Sequence, residues 1–302
     1  MLNSSDFNPV SLSDRELFKR QYERFPQVHS DNTFTNMVCW NHYADYRYAF
    51  LRECIVISNT IYGKTRYRPP IGPQDPDLLA EVMSLAARSE DERPLTILDP
   101  GSKNWISSLY PDLTLNPERN YFDYVYLTSD LADLPGKGYQ TIRKQLNQFQ
   151  RDCSPIVEPI TDSIMPEVKE FLLQWCDWKN CSEDPLLASE EEAVMFALSH
   201  YSDLDLSGLI IRADGKVGAM AVFEGMNEDT ALVHFEKGLP DCKAIYRAIN
   251  AETARLLASD YAFINRESDM GVEGMREAKT RYHPHHMVEV YSVSRADIEK
   301  VV

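Results

Sequence analysis

The sequence lacks most of the short motifs that identify enzymes with a dedicated nucleophile, metal or dinucleotide. It contains no GxSxG, HExxH, GxGxxG or P-loop pattern, and no cysteines spaced as CxxC. These motifs supply the nucleophile turn, the zinc ligands and the phosphate-binding glycine loops of their classes. Their absence argues against hydrolases and dehydrogenases, and we expect no metal site.

Long apolar runs are also missing. A membrane-spanning helix needs about 20 consecutive apolar residues, whereas the longest apolar runs, such as residues 217–223, have the length of a strand. The N-terminal segment has neither the basic start nor the apolar stretch of a signal peptide. We therefore expect no integral membrane segment and a cytoplasmic location.

Positive charge is scarce, and cysteine is sparse. There are 31 Lys and Arg residues against 47 Asp and Glu, which gives a net charge of −16. Because cations must neutralise phosphates, this balance disfavours binding to nucleic acid and to anionic lipid. The six cysteines are scattered along the chain, and we expect all of them to be free thiols in a reducing compartment.

The order of predicted elements indicates an α/β protein with two lobes, residues 1–155 and residues 156–302. In the second lobe, two helices precede three strands near residues 208–213, 217–224 and 231–236. The dipeptide Asp214-Gly215 between the first two strands is a strong signal for a two-residue hairpin turn. A helix, a further strand and a final helix follow.

Polar side chains cluster at the end of the strand near residues 231–236. We consider Glu236 as a carboxylate that binds an amine or acts as a general base, and His234 as a proton carrier. Alternation along the strand places Lys237 on the opposite face from Glu236. The competing interpretation of Glu236 is a solvated residue at a strand end. That of His234 is a hydrogen-bonded histidine in the core.

A second polar group, Asn265, Arg266 and Glu267, follows an apolar run that is typical of a buried strand. Ligands of open α/β sheets bind beyond the carboxyl ends of the strands, and an arginine there can hold a carboxylate or phosphate. The alternative is a purely internal network between Arg266 and Glu267. In the preceding helix, Tyr246 and Asn250 lie one turn apart and can face a ligand together.

A local basic patch stands out in this acidic chain. Lys137 lies in a Pro-Gly-Lys-Gly loop, and Arg143, Lys144 and Arg151 lie in the helix that follows. A glycine-containing loop at a helix N-terminus is a natural cradle for anions. The competing interpretation is a solvated helix face.

With these residues in view, the chain resembles the phosphatidylglycerol lysyltransferase C-terminal domain family, whose members have acetyltransferase-like (GNAT) folds, often duplicated. The resemblance rests on a set of segments that occur in the right order. They are residues 122–126, 130–137, 143–149, 235–238, 246–250, 264–271, 274–279 and 282–284.

The resemblance implies an α/β (α+β) fold of two tandem GNAT-like lobes, each a mixed, mostly antiparallel sheet flanked by helices. It also implies transfer of an acyl or aminoacyl group to an amine or hydroxyl, with aminoacyl-tRNA or acyl-CoA as the donor. The acidity of the chain disfavours tRNA as a partner. The segment between Glu236 and Lys243 lacks the Q/RxxGxG/A loop that binds the pyrophosphate of acetyl-CoA.

Two other functions stay open. One is a non-catalytic GNAT-like protein that binds a small anion or a partner, which would account for the missing pyrophosphate loop. The other is an ordinary acetyl-CoA-dependent N-acetyltransferase. The sequence makes no prediction of the oligomeric state.

Overall fold

The computed structural model describes residues 2–302, and the strands of this range form two seven-stranded sheets. The first sheet has the spatial order β1-β2-β3-β4-β5-β14-β6, with β4 and β5 parallel and the other neighbours antiparallel. Its strands are β1 (Asn8–Pro9), β2 (Arg47–Leu51), β3 (Cys54–Ile61), β4 (Lys64–Tyr67), β5 (Leu95–Leu98), β6 (Asn116–Pro117) and β14 (Tyr291–Val293).

The second sheet has the order β13-β7-β12-β11-β10-β9-β8. Strands β11 and β12 are parallel, whereas β8 to β11 are antiparallel neighbours and β12 is antiparallel to β7. The strands are β7 (Asp123–Leu127), β8 (Ile156–Pro159), β9 (Ser207–Ala213), β10 (Lys216–Gly225), β11 (Thr230–Gly238), β12 (Phe263–Asn265) and β13 (His286–Val288).

Twelve α-helices flank these sheets within residues 2–302. They are α1 (Arg15–Arg24), α2 (Phe34–Cys39), α3 (Asn41–Ala44), α4 (Pro76–Ala86), α5 (Pro100–Leu109), α6 (Thr128–Asp133), α7 (Gln140–Cys153), α8 (Met165–Lys179), α9 (Pro185–Ser199), α10 (Ile245–Leu257), α11 (Glu273–Thr280) and α12 (Arg295–Ile298). No helix in this range is both long and apolar enough to cross a membrane.

Local sequence explains the hairpin between β9 and β10 in the second sheet. Asp214 and Gly215 both have positive φ, 51° and 78°, as a tight turn of the mirror-image type requires. The turn connects β9 directly to β10, as the sequence predicts. Strand β10 then pairs with β11 over most of its length, and both strands are largely buried.

Helix α10 covers β10 and β11 with a continuous apolar face. Its buried positions recur every three or four residues, as in Ala251, Ala254 and Leu257, which is the spacing of a single helix face. Asn250 is buried on the same helix. A buried amide in a helix interior requires a polar partner nearby, so this position marks where polar groups enter the core.

Contacts divide the chain into two compact units. The first comprises residues 1–123, 268–272 and 287–302, and the second comprises residues 124–267 and 273–286. Residues 155 and 156, between which the sequence analysis divides the lobes, both lie in the second unit. That boundary, as a division between two GNAT-like lobes, stays a prediction.

The prediction that all six cysteines are free thiols is wrong for two of them. Cys153, at the end of α7, forms a disulfide with Cys242, just before α10, across 89 residues of sequence. The other four cysteines are free and buried. Pairing over such a separation depends on how α7 and α10 pack, and no spacing in the sequence reveals it.

We expect this disulfide to stabilise the fold by about 2–4 kcal/mol, because it closes a long loop in the unfolded chain. The double variant Cys153→Ser/Cys242→Ser should unfold at lower urea concentration than the oxidised protein, and reductant should shift only the wild type. The denatured, unreduced wild type should show four reactive thiols. Six reactive thiols with no effect of reductant would contradict the pairing.

Candidate active site

The candidate site lies where β11 and β12 part. The two strands pair only from Thr230 opposite Phe263 to Leu232 opposite Asn265, and β11 then continues to Gly238. Beyond β12, the chain is fixed to β7 instead, because Arg266 N–H donates to the carbonyl of Tyr124 and Tyr124 N–H donates to that of Glu267. The residues after β12 therefore face the second half of β11.

A β-bulge places His234 in this region. Val222 of β10 pairs with Phe235, but the next residue, Phe223, pairs with Val233. His234 is thus the extra residue on β11. Bulges redirect side chains and are frequent next to active sites.

His234 is enclosed by two carboxylates. Its Nε2 lies 3.0 Å from Oε1 of Glu224, and its Nδ1 lies 3.4 Å from Oε1 of Glu267. Burial opposes protonation of the imidazole, but the hydrogen bonds and charges of Glu224 and Glu267 outweigh it and raise the pKa of His234 to about 9. The imidazole is therefore positively charged at neutral pH.

Glu267 is held in an uncommon backbone conformation with φ of 58°. The side-chain oxygen of Asn265 accepts a hydrogen bond from the Glu267 N–H at 2.8 Å, which compensates for this conformation. Lys279 Nζ donates to the carbonyl oxygens of both Arg266 and Glu267. The Glu267 side chain is 30% exposed, so its carboxylate is both fixed and accessible.

The second element of the site is an ion pair between Glu236 and Arg266. Nε of Arg266 donates to Oε2 of Glu236 at 3.0 Å, and a terminal nitrogen of the same guanidinium donates to the same oxygen. The two side chains are only 12% and 15% exposed. Charge-assisted pairs of this kind are strong when they are removed from water.

Three further residues enclose the guanidinium. With its amide oxygen turned towards the guanidinium, Asn250 accepts from Nη1 of Arg266 at 2.9 Å; an arginine has only donors, so the oxygen must face it. The rings of Tyr126 and Tyr282 lie 5.9 Å and 5.5 Å from the guanidinium carbon. Burial raises the pKa of both tyrosines, which keeps them neutral.

Lys237 and Tyr246 belong to a separate cluster. Nζ of Lys237 lies 2.6 Å from Oε2 of Glu190 and 4.1 Å from the ring centre of Trp175. The indole N–H of Trp175 donates to the hydroxyl of Tyr246 at 2.9 Å. Adjacent side chains of β11 thus have different partners, as alternation along a strand predicts.

The basic patch makes local contacts. Arg143 donates to the carbonyl oxygens of Leu134 and Gly136, so it satisfies acceptors just after α6. Lys137 and Lys144 are exposed. A role for these three residues in anion binding stays a prediction.

Sequence reasoning brought together His234, Glu236, Asn250, Arg266 and Glu267 but missed several of their partners. Glu224 was overlooked because its proximity to His234 depends on the register and the bulge between β10 and β11. The periodicity of apolar residues predicts which side chains face the core, but it does not predict which strands are neighbours. The other partners that were missed are Tyr126, Tyr282, Lys279, Glu190 and Trp175.

A comparison with protein families shows to which family the chain belongs. The family model described as phosphatidylglycerol lysyltransferase, C-terminal, matches residues 22–294. The chain belongs to this family. No curated protein matches the sequence.

Three solved structures have a similar fold. A conserved protein of unknown function from Bacteroides thetaiotaomicron has 28% identity and a TM-score of 0.88, over 95% of this chain and 98% of that one. The C-terminal domain of a protein described as a lysylphosphatidylglycerol synthetase from Agrobacterium fabrum has 15% identity and a TM-score of 0.65, over 95% and 94% of the two chains. The structure of L-PGS from Bacillus licheniformis has 10% identity and a TM-score of 0.62, over 93% of this chain and 92% of that one.

The predicted fold class is confirmed: this member of the phosphatidylglycerol lysyltransferase C-terminal family is a mixed α/β protein with two mostly antiparallel sheets flanked by helices. The predicted family resemblance is confirmed as well by the match of the family model. Within the family fold, the polar cluster sits beside the parted strands β11 and β12.

The raised pKa of His234 gives the fold a pH dependence. The folded value of about 9 exceeds the ordinary 6.5, so the stabilisation is fully present below pH 6.5 and is lost as the pH rises through 9. We expect a loss of about 3 kcal/mol between pH 6 and pH 9.5 from this group. Urea unfolding of the wild type and His234→Gln at both pH values measures the difference.

The difference in unfolding free energy between the wild type and His234→Gln should shrink as the pH rises. His200→Gln is the control, because His200 is a partly exposed histidine in contact with Asp203. A wild-type advantage over His234→Gln that is constant from pH 6 to pH 9.5 would show that His234 does not carry the charge assigned to it.

Proposed function

We propose that this protein transfers an aminoacyl group to an amine or hydroxyl acceptor, and that the polar residues between β11 and the chain after β12 form its active site. One observation carries the proposal. The carboxylates of Glu224 and Glu267 enclose the protonated His234, directly beside the buried pair of Glu236 and Arg266. Membership of the phosphatidylglycerol lysyltransferase C-terminal family supports this class of reaction.

Charge favours an aminoacyl donor over a simple acyl donor. Two carboxylates around one imidazolium leave one negative charge in excess. An aminoacyl ester carries a positive ammonium group next to its reactive carbonyl, and a fixed negative charge in a partly buried site attracts it. A neutral acetyl group gains nothing from such a charge.

Glu267 is the residue that we assign to proton transfer. A protonated His234 cannot begin the reaction as a base, and the Glu236 carboxylate is already bound by Arg266. The acceptor N–H or O–H attacks the ester carbonyl, and Glu267 takes its proton. When the tetrahedral intermediate collapses, the ester oxygen leaves and receives that proton, so Glu267 returns to its starting state.

The other residues position these groups. His234 holds the Glu267 carboxylate, and Arg266, adjacent in sequence, is fixed by Glu236 and Asn250. Orientation of this kind lowers the barrier by removing motion before the reaction begins. Lys137 and Lys144 are exposed cations, and we assign them to the anionic part of the donor.

The segment before α10 supports a donor other than acyl-CoA. A CoA pyrophosphate needs a row of free backbone N–H groups at a helix N-terminus. Here two of the N–H groups are already occupied, because that of Leu239 donates to the carbonyl of Gly218 and that of Ile245 donates to the carbonyl of Cys242. A cavity of about 290 Å³ at this point is acidic, which repels a pyrophosphate. Its lining residues are Gln145, Gln148, Phe149, Asp152, Cys153, Asp214, Asp241, Cys242 and Lys243.

The proposed reaction is tested by incubating the protein with radiolabelled aminoacyl-tRNAs and a panel of amine and hydroxyl acceptors, including phosphatidylglycerol. We expect a labelled acceptor with at least one pair. Glu267→Gln should lower the rate roughly 100-fold, as removal of a general base does, while Glu277→Gln, which alters an exposed glutamate on α11, should keep full activity. Equal activity of the two variants would remove Glu267 from the reaction.

Acetyl-CoA should not bind. A ligand at 100 times its dissociation constant stabilises a protein by about 2.7 kcal/mol, which raises the melting temperature by an easily measured amount. We expect no shift with acetyl-CoA or CoA up to millimolar concentration. A clear shift, together with acetylation of an amine, would instead establish acetyl-CoA-dependent N-acetyl transfer.

A further inference from the structure

Three side chains with metal-binding atoms converge in the second unit, outside the candidate active site. They are Cys176 near the end of α8, Cys181 in the 3-10 turn Cys181–Glu183, and Glu191 in α9. One sulfur from each cysteine and one carboxylate oxygen all lie within 4.8 Å of one another. We propose that these three residues bind a zinc ion, with water as the fourth ligand.

The backbone between the cysteines explains their proximity. Asn180 has a positive φ of 54° and ends α8, and its carbonyl accepts from the N–H of Glu183. This turn reverses the chain so that Cys181 returns towards Cys176. The spacing of the two cysteines is wider than that of a CxxC pair, and the third ligand comes from the next helix, so sequence motifs do not reveal the set.

The distances suit zinc after small side-chain rotations. With Zn–S bonds of about 2.3 Å and Zn–O bonds of about 2.0 Å, tetrahedral ligand atoms lie roughly 3.5–3.8 Å apart. Separations of up to 4.8 Å require each ligand to move inwards by a fraction of an ångström to about 1 Å. Rotation about the side-chain torsions supplies such a movement without a change of the backbone.

The chemistry of the ligands selects the metal. Two thiolates are soft ligands that favour zinc over calcium or magnesium. The cysteines are 5% and 2% exposed, which shields the thiolates, whereas Glu191 is only partly buried and leaves access for a water ligand. The expectation of no metal site, drawn from the sequence, did not consider this third ligand.

Charge balance also favours the replacement of two thiol protons by one zinc ion. Zinc binding releases the two thiol protons to solvent, so two protons leave as one divalent cation enters. The net charge of the buried group, with Glu191 ionised, stays the same. The metal therefore adds four strong bonds without adding charge to the interior, where an uncompensated charge is costly.

Zinc in this site also affects the neighbouring cluster of Lys237, Glu190 and Trp175. Trp175 and Glu190, which hold Lys237 of β11, are adjacent in sequence to Cys176 and Glu191. A metal that ties α8, the turn and α9 together fixes both partners of Lys237. We therefore expect zinc to raise the melting temperature.

The test uses the full chain, purified without a histidine tag, reduced, loaded with zinc and desalted. Elemental analysis should find one zinc per protein. Cobalt(II) should bind in its place and give the near-ultraviolet charge-transfer absorption of a thiolate ligand. Glu191→Gln should weaken zinc binding roughly tenfold or more, and Cys176→Ser/Cys181→Ser should abolish it. Cys39→Ala, which removes a buried thiol elsewhere, should retain one zinc.

The cobalt spectrum of the wild type needs no variant, so a misfolded variant cannot decide the result. Absence of retained zinc and of a thiolate–cobalt band in the wild type would overturn the proposal. So would full zinc content in a folded Cys176→Ser/Cys181→Ser protein, or a disulfide between Cys176 and Cys181 in a peptide map of the unreduced protein.

Discussion

The buried ion pair of Glu236 and Arg266 is the interaction on which the candidate site depends. Each charge is almost removed from water, and neither can stay there alone without a penalty of several kcal/mol. The pair joins the second half of β11 to the residue after β12, across the region where the two strands no longer pair. It therefore fixes the geometry that the backbone hydrogen bonds of the sheet leave undetermined.

The charged side chains of the site fall into a group of three and a pair. Glu224 contacts His234, and His234 contacts Glu267. Glu267 is adjacent in sequence to Arg266, which is paired with Glu236. With His234 protonated, the imidazolium lies between two carboxylates and the Arg266 guanidinium is paired with Glu236, so these five side chains carry one negative charge in excess. Such an arrangement is stable on its own and still attracts a cationic group, which is why an ammonium-bearing donor fits it better than an acetyl group.

The sequence predicted the fold class and the family, together with the residues at the ends of the two strands. It did so because hairpin chemistry at Asp214-Gly215 and polar residues after apolar runs are local signals. It did not predict that Glu236 and Arg266 are partners, or that Glu224 lies beside His234. Those contacts depend on strand register and on a bulge, which are set by packing over the whole sheet.

The same limit explains the cysteines. The disulfide of Cys153 with Cys242 and the cluster of Cys176, Cys181 and Glu191 both join residues from different helices or loops. Spacing along the chain carries no information on such pairs. The basic patch shows the opposite case, because its pattern was visible in the sequence, yet Arg143 turns out to bind backbone carbonyls near its own helix.

The most direct test of this account is a double-mutant cycle on the ion pair, with free energies of unfolding from urea titrations of the wild type, Glu236→Gln, Arg266→Gln and the double variant. We predict that each single variant loses about 3 kcal/mol, because it leaves one buried charge without its partner, and that the double variant loses little more than either. If the two single-variant losses sum to the loss of the double variant within about 0.5 kcal/mol, the two residues act independently. That result would contradict the central role of the pair.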